Sequence, residues 1–150
     1  MGNTYATLYY HIVYSTKHRK PWIVPEIEDR IWSYLGGIAR ENKIAPLQIG
    51  GVDDHVHLLL GVPPTIAISK VAQLMKGGSS AWIHDTFPKL QRFAWQDGYG
   101  AFTVSKSSVP DVRAYILNQR DHHRVMTFEA EYLAILRKHE IQVDERYVFD

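Results

Sequence analysis

Two apolar runs separated by only two residues place the strongest constraint on the fold. The runs cover residues 47–52 and 55–61, and Asp53 and Asp54 form the whole connection between them. A two-residue connection between β-type runs is typical of a hairpin of antiparallel strands. The centre of the chain is therefore expected to supply two neighbouring strands of one sheet.

The other segments alternate between strand-like and helix-like patterns. In chain order they are a strand over 5–14, a helix over 25–42, the hairpin, a helix capped by Thr65 that ends near 82–85, and strand-like pieces at 93–96 and 101–105. This order is that of a split βαβ unit. We therefore expect an α+β fold, with a ferredoxin-like or RNA-recognition-like βαββαβ antiparallel sheet and helices on one face.

Two further helices are predicted at the C-terminal end. Ser108 precedes a proline in the first turn, and Asp111 completes a capping box, so a helix should run from there to about His123. A second helix should start at Thr127, with glutamates in its first turn. The residues from 141 onward are expected to wrap the surface.

Composition narrows the classes of protein and of metal site. A chain of 150 residues with 45% hydrophobic residues fits one domain, 1–150. There is no cysteine, which excludes disulfides, thiolate zinc sites and a cysteine nucleophile, so a metal would need histidine, carboxylate or amide ligands. The net charge of +1 argues against an evenly basic surface. We see no signal-peptide pattern and no apolar run that would span a membrane, and we expect a cytoplasmic protein.

The second run of the hairpin contains a candidate metal site. His55 and His57 lie two residues apart and share one face of the strand, whereas Val56, Leu58 and Leu60 face the other side. Two neutral imidazoles at this spacing are good ligands for a divalent metal. A pair of hydrogen-bonded histidines without a metal is the alternative.

Tyr115 and Gln119 form a second candidate pair on the predicted helix that follows Ser108. They are four residues apart and therefore share a face of that helix. A helical tyrosine is usually a packing residue, so this pair alone says little. The combination of both pairs is much more specific.

A His-hydrophobic-His strand followed by Tyr-X-X-X-Gln on a C-terminal helix resembles the HUH-type single-tyrosine transposases of bacterial and archaeal insertion sequences. The resemblance also covers the opening strand 10–16, the stretch 95–102 and the closing residues 144–147. It implies an enzyme that cuts and rejoins single-stranded DNA at hairpin-bearing element ends and works as a homodimer.

The resemblance also assigns roles. His55 and His57 would bind a divalent ion, magnesium or manganese, and Gln119 would add its amide oxygen. Tyr115 would be the nucleophile that forms a 5′-phosphotyrosine intermediate, in its own subunit or in trans. Asp54 is a candidate partner for one of the histidines, although a simple turn residue is the other interpretation.

Local clusters of positive charge supply candidate DNA contacts, because phosphate binding needs such groups. Within the segment 76–80, two glycines could permit close approach of a ligand or another backbone, and a hydroxyl could bond phosphate. The candidate DNA-binding residues are Lys17, Arg19, Lys20, Lys70, Lys76, Ser79, Arg113, Arg120 and Arg124.

Two other functions fit parts of the pattern. A metal-dependent phosphodiesterase would use water as nucleophile, with Tyr115 only packing. A non-catalytic, domesticated module would bind hairpin DNA without cutting it. Leu59 stands where a histidine-triad hydrolase or a two-histidine phosphoesterase would need another residue type, which argues against both.

Overall fold

A four-stranded antiparallel sheet organises the protein. The computed structural model describes residues 2–150. The strands are β1 (Tyr9–Ser15), β2 (Ala45–Val52), β3 (His55–Gly61) and β4 (Gly100–Val104), and their order in the sheet is β2-β3-β1-β4. Every neighbouring pair is antiparallel. This is the order of a ferredoxin-like sheet, so the predicted α+β fold is confirmed.

Helices cover both faces of this sheet. In chain order they are α1 (Pro25–Glu41), α2 (Ile68–Thr86), α3 (Val109–Leu117), α4 (Gln119–His122) and α5 (Phe128–Lys138). Helices α1 and α2 share the main core with the even-numbered side chains of β3, among them Leu58. On the other face, α3 packs on Leu59 and α5 packs on Val13. The predicted C-terminal helices therefore close the second face.

Strand β3 lies between β2 and β1 and is buried on both sides. His57 is paired with Val13 of β1 and with Gly50 of β2. Val56 and Leu58 are fully buried in the core beneath α1 and α2. The hairpin at Asp53-Asp54 and the limits of β3 agree with the sequence-based prediction.

Several predicted boundaries are wrong for local reasons. Helix α2 begins after Ala67, so Thr65 is not its cap. Ser108 has helical backbone angles and makes no capping bond; its hydroxyl instead accepts a hydrogen bond from Ser105. The strand-like piece at 93–96 forms only an isolated bridge, between Trp95 and Thr16. The helix predicted to reach His123 is interrupted at Asn118.

The glycine pair in α2 serves helix packing. A Cβ added to Gly78 would lie 3.0 Å from Cδ1 of Ile38 in α1, whereas Gly77 faces open space. The close approach predicted here is therefore made by a neighbouring helix.

The C-terminal tail lies against the surface, as predicted, because the carbonyl oxygen of Asp150 accepts a hydrogen bond from the backbone N–H of Gly98 at 3.1 Å.

No helix within residues 2–150 has the length and apolar character needed to cross a bilayer.

We expect the hairpin to depend on Gly51, and Gly37 offers a matched control. A Cβ at Gly51 would overlap the backbone oxygen of His55 and lie 3.0 Å from Cα of Val56, whereas one at Gly37 in α1 meets no atom within 4 Å. Gly51→Ala should lower the free energy of unfolding by about 1–3 kcal/mol, and Gly37→Ala should raise it by about 0.5–1 kcal/mol. Urea unfolding of both variants measures the difference, and equal effects would contradict this account of the hairpin.

Candidate active site

The two histidines of β3 lie in the buried layer between the sheet and the C-terminal helices. His55 and His57 are both fully buried, and their rings are 5.1 Å apart between centroids. Their position follows from strand alternation, because the residues between them and after them face the α1–α2 core. The predicted sharing of one strand face by the two imidazoles is therefore observed.

Both ring nitrogens of His55 lie within hydrogen-bonding distance of a neighbouring side chain. Its Nδ1 lies 2.8 Å from Oδ1 of Asp54, and its Nε2 lies 2.8 Å from Oε1 of Gln119. Because an ionised carboxylate only accepts hydrogen bonds, Nδ1 carries the proton. Such a carboxylate contact to the remote ring nitrogen is the usual way to orient a metal-binding histidine.

His57 is oriented by a third histidine. Its Nδ1 lies 2.8 Å from Nε2 of His11 in β1, and the two rings are stacked with centroids 5.0 Å apart. Its Nε2 points away from β1 towards Oε1 of Glu131, at 3.1 Å. The Nε2 atoms of His55 and His57 therefore point into the same small space.

The tyrosine and the glutamine reach this space from two different short helices. Tyr115 lies on α3 and Gln119 opens α4, after the interruption at Asn118. The ring of Tyr115 lies 5.7 Å from that of His57 between centroids. All four residues of the predicted site thus meet within a single chain.

Glu131 is a buried carboxylate at the centre of the site that the sequence-based prediction did not include. Its Oε2 accepts hydrogen bonds from the Tyr115 hydroxyl and from Nε2 of Gln119, the latter at 2.9 Å. Its Oε1 lies 3.0 Å from Nε2 of His123. A signal for Glu131 exists in the sequence, since it falls three residues after Phe128 and so shares the inward face of α5.

His11 was also missed as a site residue, although it lies in the strand that contributed to the resemblance. In the ferredoxin-like order β1 neighbours β3, and His11 shares a sheet face with Val13, the partner of His57. Once the topology is known, its place beside His57 follows.

Burial and hydrogen bonding divide the histidines by charge. Burial alone would lower the pKa of His55, but its hydrogen bonds to Asp54 and Glu131 outweigh burial and raise the pKa to about 9. Burial lowers the pKa of His57 to about 4, and burial together with His57 lowers that of His11 to about 3. In the metal-free protein His55 is therefore cationic at neutral pH, whereas His57 and His11 are neutral.

The pKa values of Tyr115 and Glu131 move in opposite directions. Burial and the neighbouring Glu131 raise the pKa of Tyr115. Burial would also raise the pKa of Glu131, but hydrogen bonds from His123, His55 and His57 lower it well below its usual range. The carboxylate is ionised and the phenol is protonated in the resting site.

The donor set fits a divalent cation. With Nδ1 of His55 bound as a donor to Asp54, its Nε2 faces two acceptor oxygens, at 2.8 Å on Gln119 and 3.4 Å on Glu131. In the metal-free protein the Nε2 proton of cationic His55 holds these groups together, and a metal ion that replaced this proton would meet one nitrogen and two oxygen donors already in place. Imidazole, amide and carboxylate donors suit manganese and magnesium.

A cavity of about 830 Å³ opens beside this cluster. Tyr115, Glu131, His11 and His122 line its inner end, and Lys138 contributes a positive charge to its wall. The cavity gives solvent and ligands a route to the tyrosine hydroxyl.

Seven of the nine predicted DNA-contact residues form two groups. Arg19, Arg120 and Arg124 line a second cavity of about 980 Å³, together with Asp54. Lys17, Lys20, Lys70 and Arg113 lie elsewhere on the exposed surface.

Two predicted contacts are already engaged inside the protein. Ser79 is fully buried, and its hydroxyl donates to the Met75 carbonyl at 2.6 Å and accepts from the indole of Trp95 at 2.9 Å. This burial corrects the expectation that Ser79 bonds phosphate. The Lys76 ammonium contacts the carbonyls of residues 96–98, so its charge stabilises that loop.

Comparison with known proteins identifies the family. A sequence model described as IS200-like transposase matches residues 4–119, which is most of the chain. The chain belongs to this family of transposases. The general activity of this IS200-like transposase is therefore the cutting and rejoining of DNA.

Individual relatives agree with this assignment. The chain is 30% identical over 119 residues to the ISDra2 transposase TnpA of Deinococcus radiodurans, covering 76% of this chain and 85% of that protein. It is 28% identical over 121 residues to the transposase of insertion sequence IS200 from Salmonella typhimurium, covering 77% and 79% of the two chains.

Two solved structures resemble the fold. A crystal structure of a transposase from Deinococcus radiodurans superposes with a TM-score of 0.66 at 31% identity, covering 79% of this chain and 96% of that one. A REP-associated tyrosine transposase bound to a REP hairpin has a TM-score of 0.60 at 11% identity, covering 82% and 73%. The second likeness supports the fold alone.

We expect His55 to keep its proton at pH 8 in metal-free protein. Because its pKa of about 9 exceeds the ordinary 6.5, the bonds of the protonated ring stabilise the fold fully below pH 6.5 and are lost as the pH rises through about 9. Histidine NMR titration with chelator present measures this pKa. Asp54→Asn should lower it, and a wild-type value at or below 6.5 would contradict the assignment.

Proposed function

We propose that this IS200-like transposase is a single-tyrosine HUH enzyme that cuts and rejoins single-stranded DNA at hairpin-bearing element ends. The observation that carries the proposal is the convergence of Tyr115 with His55, His57 and Gln119 in one buried cluster. The Tyr115 hydroxyl is hydrogen-bonded to Glu131, the same carboxylate that lies against His55 and His57, so it belongs to the polar cluster and not to the apolar core.

His55, His57 and Gln119 would hold the divalent ion, magnesium or manganese. Their three donor atoms point into one space, and Asp54 and His11 orient the two imidazoles from behind. When bound, the ion offsets charge on the scissile phosphate and orients that phosphate for in-line attack. The site is pre-organised by buried hydrogen bonds, so little reorganisation is needed.

Tyr115 would supply the nucleophile. Its phenolic oxygen attacks the phosphorus, the bond from phosphorus to the 3′ oxygen breaks, and the upstream strand leaves with a 3′-hydroxyl. The phenol already donates a hydrogen bond to Glu131, which gives its proton an acceptor. Since burial opposes a free phenolate, proton loss should accompany the attack.

The phosphotyrosine product stores the energy of the original phosphodiester. A 3′-hydroxyl of another strand can therefore displace Tyr115 and rejoin the DNA without a nucleotide cofactor. Water in that role would convert the enzyme to a nuclease.

Single-stranded DNA would enter through the cavity that Tyr115 lines. Arg19, Arg120 and Arg124 would bind phosphates in the second cavity, on the Asp54 side of the histidines. Hairpin DNA is proposed as the ligand class by analogy with the REP hairpin bound to the neighbour of the same fold. The small net charge suits a few such phosphate contacts better than a uniformly basic surface.

Each chain would carry a complete active site, because Tyr115 lies beside the histidines of its own subunit. This favours a cis arrangement over tyrosine exchange between subunits. Homodimerisation is part of the proposal, and light scattering of the purified protein measures it directly.

Tyr115→Phe should abolish the covalent protein–DNA adduct because it removes the attacking oxygen. Wild-type protein incubated with manganese and a hairpin oligonucleotide labelled at its 3′ end should yield an adduct visible after denaturing electrophoresis. Tyr5→Phe is the matched control, since Tyr5 is 89% exposed. Cleavage that survives Tyr115→Phe would favour a phosphodiesterase that uses water.

His57→Ala should abolish cleavage while hairpin binding persists, because it removes a proposed metal ligand and leaves Arg19, Arg120 and Arg124 in place. Electrophoretic mobility shift with and without chelator measures binding, and the adduct assay measures cleavage. A wild-type protein that binds the hairpin equally well in chelator and forms no adduct would instead fit a non-catalytic DNA-binding module.

A further inference from the structure

We propose that Glu131 is a fourth protein ligand of the divalent ion, contributed by α5. The inference rests on the metal site of the proposed function and extends it to the C-terminal segment. Glu131 lies beyond residues 4–119, the part of the chain that matches the family. Glu131 would therefore be a ligand from outside the segment that matches the family, in addition to the histidine and glutamine ligands.

The Oε1 atom of Glu131 has the spacing of a ligand in a shared coordination sphere. It lies 3.1 Å from Nε2 of His57 and 3.4 Å from Nε2 of His55. Two ligands bound at right angles with bonds of about 2.1 Å are themselves about 3 Å apart. His55, His57 and Glu131 are also among the groups of described residues whose ligand atoms all lie within 4.8 Å of one another.

The carboxylate is fixed in this position from two directions. Along its helix, Phe128, Tyr132 and Leu136 anchor α5 in the apolar cluster on the sheet, and Thr127 caps its first turn. Within the site, Gln119 donates to Oε2. This second oxygen is thereby oriented, which leaves Oε1 directed at the two imidazoles.

Burial makes the Glu131 carboxylate dependent on its neighbours. Only 2% of its side chain is exposed, and burying an ionised carboxylate is costly unless cations or donors surround it. In the metal-free protein Tyr115, Gln119 and His123 donate hydrogen bonds to it. A divalent cation between its Oε1 and the two imidazoles of β3 would add direct charge compensation on that side of the carboxylate.

A carboxylate ligand changes what the site selects. With only two imidazoles and an amide, the ligand set would be neutral and would favour soft or borderline metals. One negative oxygen donor raises the affinity for magnesium and manganese, which prefer hard ligands. It also couples ion binding to the docking of α5.

The test is manganese binding by isothermal titration calorimetry without DNA. Glu131→Gln keeps the side-chain length and removes the charge, and we expect it to weaken the affinity for Mn²⁺ by at least about tenfold, the lower bound seen when even an indirect partner of a metal is lost. Glu129→Gln on the same helix is the matched control and should leave the affinity unchanged, because the Glu129 side chain is 45% exposed.

Thermal unfolding gives a second readout on the same proteins. Saturating manganese should raise the Tm of wild type, since binding to the folded state alone stabilises it, and the rise should shrink in Glu131→Gln. A folded Glu131→Gln protein that binds manganese as tightly as wild type, or more tightly, would overturn the proposal. If that variant does not fold, Glu131→Asp decides: its shorter side chain should weaken manganese binding, and unchanged affinity would overturn the proposal.

His57→Ala separates this inference from the function on which it rests. If His57→Ala loses manganese binding and Glu131→Gln keeps it, the histidine metal site is supported and Glu131 is not a ligand. If wild-type protein shows no detectable manganese binding, both the proposed histidine metal site and the role of Glu131 are contradicted.

Discussion

The central position of β3 is the constraint on which the rest of the structure depends. Hydrogen bonds to β1 and β2 fix its register, and its side chains alternate between two buried layers. The pairing that buries Val56 and Leu58 beneath α1 and α2 therefore turns His55 and His57 to the opposite face. A slip by one residue would exchange the two sets, so the core and the active site are specified by the same pairing.

Because two imidazoles are buried, the neighbouring strands, helices and hairpin must supply hydrogen-bond partners for their ring nitrogens. An unsatisfied buried polar group costs about 1–3 kcal/mol, and each ring nitrogen of His55 and His57 has a neighbour within hydrogen-bonding distance. Asp54 comes from the hairpin, His11 from β1 and Gln119 from α4. The interruption at Asn118 separates the helix of Tyr115 from that of Gln119, so both side chains reach the cluster from different directions.

This arrangement brings Tyr115, the candidate nucleophile, and the candidate metal ligands together in one chain. Glu131 links them, because one of its oxygens accepts from the Tyr115 hydroxyl and the other faces the two histidines. A carboxylate that contacts both groups couples their geometry, as the proposed reaction requires. The C-terminal helix α5 then contributes to the candidate active site as well as to the core.

The sequence alone was sufficient to predict the antiparallel βαββαβ sheet, the Asp53-Asp54 hairpin and the common face of His55 and His57, because these follow from short-range periodicity. The His-hydrophobic-His and Tyr-X-X-X-Gln motifs were also sufficient to indicate the family. Only the tertiary structure decided that Tyr115 lies beside the histidines within one chain and that Glu131 lies at the centre of this cluster. It also decided that Ser79 is buried by Trp95 rather than free to contact DNA. Those outcomes depend on how α3, α4 and α5 pack on the second face of the sheet. Helical periodicity places Glu131 on the inward face of α5, but only long-range packing brings that face to the histidines.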